Sequence, residues 1–202
     1  PYSQTELAIK HLRRLRKSKD KPFAMFLSFG VPHDPWTPDN VPAEMLSRFD
    51  KNAYGYPPNY LPLDDPHGDP WAHLSKEERQ ELPSWMRCYD AMVACLDECI
   101  GALMQAVKEM RMDEDTIIVF TSDHGECFGA HGRRAKNIFY EEAIRVPFLI
   151  RLPGGKQARK ESDACLNTVD LMPTLLDLMG LPKPNGIQGK SLAGLITGEN
   201  EK

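Results

Sequence analysis

TIIVFTSDHGECFGAHG, residues 116–132, places a run of β-branched and apolar side chains directly before a polar, glycine-rich loop. The apolar run is typical of a central parallel strand covered on both faces, because such strands lack the alternation of a half-exposed strand. Asp123 and His124 follow where that strand should end. Ligands of open parallel sheets collect outside the carboxyl ends of the strands, so this stretch predicts both the sheet and its functional edge.

Helices and strands are predicted to alternate on either side of this stretch. Apolar residues at helical spacing indicate three helices, the last ending at Gly180, and short apolar runs indicate two more strands. The helices are expected over 4–17, 84–111 and 167–181, and the strands over 22–30 and 146–152. This order predicts an α/β fold with a mostly parallel sheet flanked by helices.

Residues 31–83 are expected to form a long loop inserted within the domain. They hold many of the chain's 17 prolines, together with tryptophan, tyrosine, aspartate and asparagine. Proline lacks a backbone N–H and restricts the residue before it, so little regular structure is predicted here. Long loops in compact domains are usually functional or disordered. The aromatic content favours an ordered wall that shapes a specificity pocket.

The composition argues against two classes of partner. The chain of 202 residues has a formal net charge of −4 and a pI of about 5.9. A nucleic-acid binder usually shows a basic patch, and the one basic cluster, Lys10 to Lys21, is interpreted as the solvated face of the first helix. No apolar stretch reaches the roughly 20 residues that cross a bilayer. The sequence therefore predicts no nucleic-acid partner and no membrane span.

The five cysteines do not have the spacing of a small disulfide-rich scaffold. Cys88, Cys95 and Cys99 fall on one stripe of the helix expected over 84–111, where cysteine usually acts as a small buried apolar residue. Cys127 and Cys165 receive no role from the sequence.

Three polar groups follow predicted strands and are expected to share one rim of the sheet. His33 follows the strand over 22–30, Asp123 and His124 follow the central strand, and Lys136 lies in the next loop. A carboxylate, two imidazoles and an ammonium together would suit a metal ion with an anionic substrate. Taken singly, each has a plainer interpretation: a turn for Asp-His-Gly, a loop histidine for His33 and a surface lysine for Lys136.

Residues 116–154, TIIVFTSDHGECFGAHGRRAKNIFYEEAIRVPFLIRLPG, closely resemble the corresponding block of sulfatases in the alkaline-phosphatase superfamily. The shared features are the strand, the Ser-Asp-His-Gly turn, Gly-x-His-Gly, a lysine, Tyr-Glu-Glu and Arg-Val-Pro. FLSFGVPHDPW, YDAMVACLDECIGALMQAVKE and TVDLMPTLLDLMGL resemble further family segments in the same order. The resemblance covers nearly the whole chain.

The resemblance implies a role for each residue of the predicted rim. Asp123 and His124 would ligate a divalent cation, usually calcium in this family. Lys136 would bridge toward the sulfate, and His33 would contact the sulfate or the leaving-group oxygen. Many sulfatases have asparagine in place of His124, and calcium prefers oxygen ligands, so the histidine leaves the identity of the metal less defined.

Other residues of the same loop are assigned by position alone. Three lie close enough in sequence to contact an anionic substrate, although the histidine among them also fits a structural turn: His131, Arg133 and Arg134. Three more are expected to hold the loop in place: Tyr140, Glu141 and Arg145.

The chain also departs from the family pattern. The family's nucleophile is a formylglycine made from Cys or Ser in a C/S-x-P-x-R motif, and no such motif occurs in the 202 residues. The paired aspartates of the family's first strand are missing too, and Asp64-Asp65 lies in the proline-rich loop without a preceding strand. The resemblance thus implies a partial catalytic domain, residues 1–202, truncated at its N-terminal side. Such a chain is expected to be inactive alone, to bind metal weakly and to self-associate through a bare sheet edge.

Three functions remain open at the level of sequence. The leading one is a sulfuric ester hydrolase acting on a sulfated small molecule or carbohydrate, favoured by Lys136 with the later Tyr-Glu-Glu and Arg-Val-Pro. A phosphoryl or phosphonate hydrolase or phosphomutase of the same superfamily would share the Asp-His-Gly turn. The third is a non-catalytic domain that binds anionic glycans or a partner subunit.

Overall fold

The computed structural model describes residues 1–18, 21–156 and 160–199. Its main elements are α1 (Tyr2–Lys17), α2 (Ala43–Ser47), α3 (Lys76–Glu109), β1 (Ile118–Thr121), α4 (Glu141–Ile144), β2 (Phe148–Arg151), α5 (Thr168–Leu178) and α6 (Ala193–Thr197). Single 3₁₀ turns occur at Pro38–Asn40, Lys51–Ala53, Pro70–Ala72, Met112–Glu114 and Pro153–Gly155. No helix in the described ranges is both long and apolar enough to cross a membrane.

The helix α3 begins eight residues before the predicted start at residue 84. Ser75 and Glu78 form a capping box, in which each side chain accepts a hydrogen bond from the backbone N–H of the other. Pro83 lies inside the helix, where it removes one backbone hydrogen bond without ending the helix. The loop predicted over 31–83 therefore ends at residue 75 and contains α2 and three 3₁₀ turns.

The sheet of the described residues consists of β1 and β2 alone, so the mostly parallel sheet is not confirmed. Residues 22–30 form no regular element, and Met25 and Leu27 are more buried than Phe26, which is 90% exposed. No strand is formed there because a strand needs a backbone partner, and the described residues supply none. The β1 strand is not covered on both faces, since Phe120 is exposed. Self-association through these exposed residues stays a prediction.

Residues 1–112 and 120–149 form one compact unit. In it α1 and α2 both pack against α3. Its core joins residues from the loop and α2 to one face of α3: Val41, Met45, Leu46, Cys88, Ala91, Met92 and Cys95. The prediction of buried cysteines is confirmed, because Cys88, Cys95 and Cys99 are at most 2% exposed.

The basic residues of α1 that the structure describes are exposed, as expected of a solvated face: Lys10, Arg13, Arg14, Arg16 and Lys17. Lys19 and Asp20, which belong to the same cluster, lie outside the described residues.

The second compact unit comprises residues 113–119 and the chain from Ile150 onward. Asn167 and Asp170 form a capping box at the start of α5. At its end Gly180 has φ +65°, and the backbone N–H of Leu181 donates to the Leu176 carbonyl at 2.8 Å. This is the Schellman arrangement, so the predicted stop at Gly180 is confirmed.

Replacing Ser75 by alanine should lower the free energy of unfolding by about 1 kcal/mol, because the Glu78 N–H loses its acceptor at 3.1 Å. Urea unfolding followed by circular dichroism measures this loss. The control is Ser84→Ala, at an exposed serine inside the same helix, where alanine should be neutral or stabilising. Equal losses of unfolding free energy in the two variants would contradict the expected stabilisation by the cap.

Candidate functional site

Asp123 and His124 form a tight polar turn two residues after β1. One oxygen of the Asp123 carboxylate accepts from the His124 backbone N–H at 2.9 Å and from the Ser122 hydroxyl at 3.2 Å. The other oxygen lies 3.4 Å from His124 Nε2. His124 Nδ1 is 2.9 Å from the Gly125 carbonyl, which can only accept. Nδ1 therefore carries a proton, which leaves Nε2 as the ring nitrogen that could bind a metal ion.

This pair places two possible metal-binding atoms close together, Oδ2 of Asp123 and Nε2 of His124. Partial desolvation raises the pKa of Asp123, but the His124 backbone N–H and the adjacent imidazole outweigh it, so the pKa is lowered and the carboxylate stays charged. No cluster of three or more His, Cys, Asp or Glu residues suited to a metal occurs in the part of the chain that the structure describes. Calcium takes six to eight oxygen ligands, so these two residues fit only part of a coordination shell.

Lys136 and His33 meet although 103 residues separate them in the chain. Lys136 Nζ lies 3.5 Å from His33 Nε2. His33 Nδ1 is 3.1 Å from the Asp34 carbonyl and also contacts the Asp34 carboxylate, so Nδ1 is the protonated nitrogen and Nε2 can accept from the ammonium. Both His33 and Asp34 have exposed side chains. The structure thus presents an ammonium and an imidazole side by side at the surface.

An aromatic cluster holds the loop of His33 against the loop of Lys136. Trp36 Nε1 donates to the Pro32 carbonyl at 2.8 Å, and its ring centroid lies 4.6 Å from that of Phe128. Trp85 and Tyr89 of α3 complete the cluster at 5.8 Å from Trp36 and 4.9 Å from Phe128. The loop of His33, the loop of Phe128 and helix α3 are thereby packed together.

Arg133 is fully buried and joins the proline-rich loop to the loop of Lys136. Its Nη1 lies 3.2 Å from Oδ2 of Asp65, which is also buried. Asp65 Oδ1 accepts from the Tyr140 hydroxyl at 3.0 Å and from the His67 backbone N–H at 2.9 Å. Burial raises the pKa of Asp65, but the hydrogen bonds from His67, Tyr140 and Arg133 outweigh it and lower the pKa. This geometry favours a structural role for Arg133 over substrate contact.

His131 is also engaged with protein groups. Its Nε2 lies 3.2 Å from Glu142 Oε2, and its ring stacks on Tyr140 with centroids 3.9 Å apart. Asn59 of the proline-rich loop donates to the other oxygen of Glu142. The close approach of the proline-rich loop to this segment also requires glycine at position 132, because a Cβ there would lie 1.8 Å from the Leu63 carbonyl oxygen. These contacts favour a structural role for His131.

Arg134 reaches toward the start of α3. Its Nη1 lies 2.6 Å from Glu78 Oε1, and its Nη2 donates to the Trp71 carbonyl at 3.3 Å. The three residues that the sequence suggested as substrate contacts are therefore each bound to other protein groups. Lys136 is the cation of this loop that lies beside His33.

Sequence reasoning missed the acidic partners of these residues. Asp65 was weighed only as part of a substitute for the family's paired aspartates, which was not accepted, and its ion pair with Arg133 spans 68 residues. Glu126 follows the Asp-His-Gly turn and accepts from the Ala135 backbone N–H. The Tyr-Glu-Glu motif did mark the right segment, but the contact to His131 comes from Glu142.

Comparison with known proteins identifies the family to which this chain belongs. The Sulfatase family model matches residues 1–181. The ulvan-active sulfatase of Formosa agariphila is 34% identical over 97% of this chain, which spans 36% of that protein. The structure of BT4656 in complex with its substrate D-glucosamine-2-N,6-O-disulfate superposes with a TM-score of 0.79 at 27% identity, covering 97% of this chain and 51% of that one.

A further solved structure belongs to a different activity. The phosphonate monoester hydrolase SpPMH of Silicibacter pomeroyi superposes with a TM-score of 0.78 at 25% identity, covering 96% of this chain and 41% of that one. The structural relatives share the alkaline-phosphatase-like fold. The chain belongs to the sulfatase family and corresponds to the C-terminal part of the sulfatase fold.

Replacing Arg133 by methionine should lower the free energy of unfolding by about 3–5 kcal/mol, because the buried Asp65 carboxylate loses its counter-charge. Thermal or urea unfolding measures the change. Arg48→Met, which removes an exposed arginine paired with Glu98, is the matched control and should have a much smaller effect. Similar losses of unfolding free energy in the two variants would show that the buried ion pair stabilises the fold no more than the exposed one.

Thiol labelling should distinguish Cys165 from Cys127 by their rates of reaction. Burial raises the pKa of the Cys127 thiol to about 12, and the charge of Glu126 adds to the effect, whereas Cys165 is exposed. Because the thiolate is the reactive form, Cys165 should react rapidly with a disulfide reagent at pH 8 and Cys127 only after unfolding. Cys165→Ser should remove the fast phase, and a fast phase that persists would contradict this assignment.

Proposed function

We propose that this chain supplies the cation-binding and oxyanion-binding residues of a sulfuric ester hydrolase. The observation that carries the proposal is the 3.5 Å contact between Lys136 and His33, within a chain of the sulfatase family. A sulfated carbohydrate is the substrate class best supported, because one relative is named for activity on ulvan and a structural relative holds a disulfated glucosamine.

The residues of the chain would act through position and charge. The Lys136 ammonium would bind sulfate oxygens as they gain negative charge during cleavage of the ester bond. His33, oriented by Asp34, would donate from Nε2 to the sulfate or to the leaving-group oxygen when the ring carries a proton on both nitrogens. The two side chains already share one contact, so an oxyanion placed between them would replace it with two.

Asp123 and His124 are the residues of this chain that would hold the divalent cation used by intact sulfatases. When bound, that cation would supply Lewis-acid stabilisation of the sulfate oxygens. Calcium is the first ion to test by resemblance, and the imidazole of His124 makes a softer ion a necessary comparison. The formylglycine of the intact enzyme requires a motif that these 202 residues do not contain, so we propose that the chain alone does not hydrolyse aryl sulfates.

Hydrolysis of phosphonate monoesters is the second candidate. It is favoured by the likeness to SpPMH, whose TM-score of 0.78 is close to the TM-score of 0.79 for the disulfate-bound relative. A binding comparison of methyl sulfate with methyl methylphosphonate, two esters that each carry one negative charge, separates the two, because the proposed function predicts the tighter binding for the sulfate ester.

Replacing Lys136 by alanine should weaken binding of a sulfated sugar such as glucosamine 6-sulfate by about tenfold or more, because a charge-assisted hydrogen bond is lost. Calorimetry or NMR titration on the whole chain with added Ca²⁺ measures this. The control is Lys108→Ala, at an exposed lysine of α3, which should bind like the parent chain. Equal binding by the Lys136 variant, or equal binding of unsulfated glucosamine, would contradict the proposal, and turnover of an aryl sulfate above blank would contradict the expected inactivity.

A further inference from the structure

Glu126 is an acidic residue of the candidate site to which the proposed function gives no task. It lies two residues after His124, and its side chain turns into the loop that leads to Lys136. The Ala135 backbone N–H donates to Glu126 Oε1, and the Phe128 N–H lies 3.5 Å from the same oxygen. The carboxylate thus accepts from the backbone of its own loop.

The Ala135 backbone has an uncommon conformation that needs such a contact. Its φ of +65° lies in the left-handed region, which non-glycine residues seldom adopt. The Ala135 carbonyl accepts from the Cys127 backbone N–H at 3.2 Å. Both peptide groups that flank Ala135 are therefore bound to residues 126 and 127, and the second of these groups leads directly into Lys136.

These two hydrogen bonds of Ala135 fix the position of the Lys136 backbone relative to the Asp123–His124 turn. Residues 126 and 127 continue directly from that turn. Phe128, the next residue, packs against Trp36 and so against the loop of His33. One short segment thereby sets the position of the predicted metal-binding pair, the lysine and the histidine.

We propose that Glu126 is a positioning residue, which binds the Ala135 N–H and so keeps the Lys136 ammonium beside His33 and in register with the Asp123–His124 turn. The proposal rests on the proposed function for its effect on sulfate binding. Its effect on the loop is independent of that function. Without the carboxylate the Ala135 N–H loses its acceptor, the strained backbone relaxes, and Lys136 is released from a single position.

Two variants test the role of the acceptor. Glu126→Gln keeps an oxygen at the end of a side chain of the same length, whereas Glu126→Ala removes it. Hydrogen exchange by NMR should show the Ala135 amide exchanging about tenfold faster in the alanine variant and little changed in the glutamine variant. The control is Glu81→Ala, at an exposed glutamate of α3, which should leave this amide unchanged.

Binding of inorganic sulfate with Ca²⁺ present provides the second readout. Glu126→Ala should weaken binding about as much as Lys136→Ala, and the double variant should be no weaker than Lys136→Ala alone, because the two changes remove the same interaction. Glu126→Gln should restore binding. Additive losses in the double variant, or equal weakening by the glutamine variant, would overturn the proposal.

The two readouts separate this proposal from the proposed function. If Lys136→Ala leaves sulfate binding unchanged, the proposed function fails, and exchange of the Ala135 amide still decides the role of Glu126. If that amide stays protected in Glu126→Ala, the positioning role is wrong whatever the ligand. Should the alanine variant not fold, Glu126→Asp replaces it, since the shorter side chain places the carboxylate about one bond length short of the amide, and the same two outcomes apply.

Discussion

The buried ion pair between Arg133 and Asp65 is the interaction on which the candidate site depends. Taking both charges out of water costs several kcal/mol for each ion, and neither side chain is more than 1% exposed. The cost is offset by mutual attraction and by the Tyr140 hydroxyl and His67 N–H on the same carboxylate. Gly68 belongs to the same arrangement, because a Cβ there would lie 2.2 Å from Arg133 Nη1. The pair therefore requires one close approach of two loops.

Polar contacts of this kind explain how a region with little regular structure can hold side chains in place. Glu78 is the clearest case, because one oxygen accepts from the Ser75 backbone N–H at 2.8 Å and the other contacts Arg134 at 2.6 Å. The start of α3 and the loop of Lys136 thus share one carboxylate. Both neighbouring arginines are bound in this way, which leaves Lys136 as the cation of the loop that faces His33. Of these three cations, the two arginines stabilise the fold and the lysine is the one assigned to the proposed chemistry.

The sequence predicts those parts of the structure that depend on local spacing. The helices α1 and α5 and the stop at Gly180 follow from periodicity and capping, which involve residues within one or two turns. The early start of α3 was missed because Pro83 resembles a boundary, although Ser75 and Glu78 carry the capping signal. The strand over 22–30 was wrong because strand formation depends on a partner segment, which the segment itself cannot reveal.

The candidate site shows the same division between local and distant information. The resemblance was sufficient to select His33 and Lys136, which the structure brings within 3.5 Å, although the strand predicted before His33 is not formed. The same reasoning left Arg133 as a further candidate for substrate contact, since it is a cation in the same loop as Lys136. The difference lies in Asp65, 68 residues away from Arg133 in the chain. Burial and counter-charge are properties of the folded pair, so the sequence alone does not reveal that Arg133 is held in a buried ion pair.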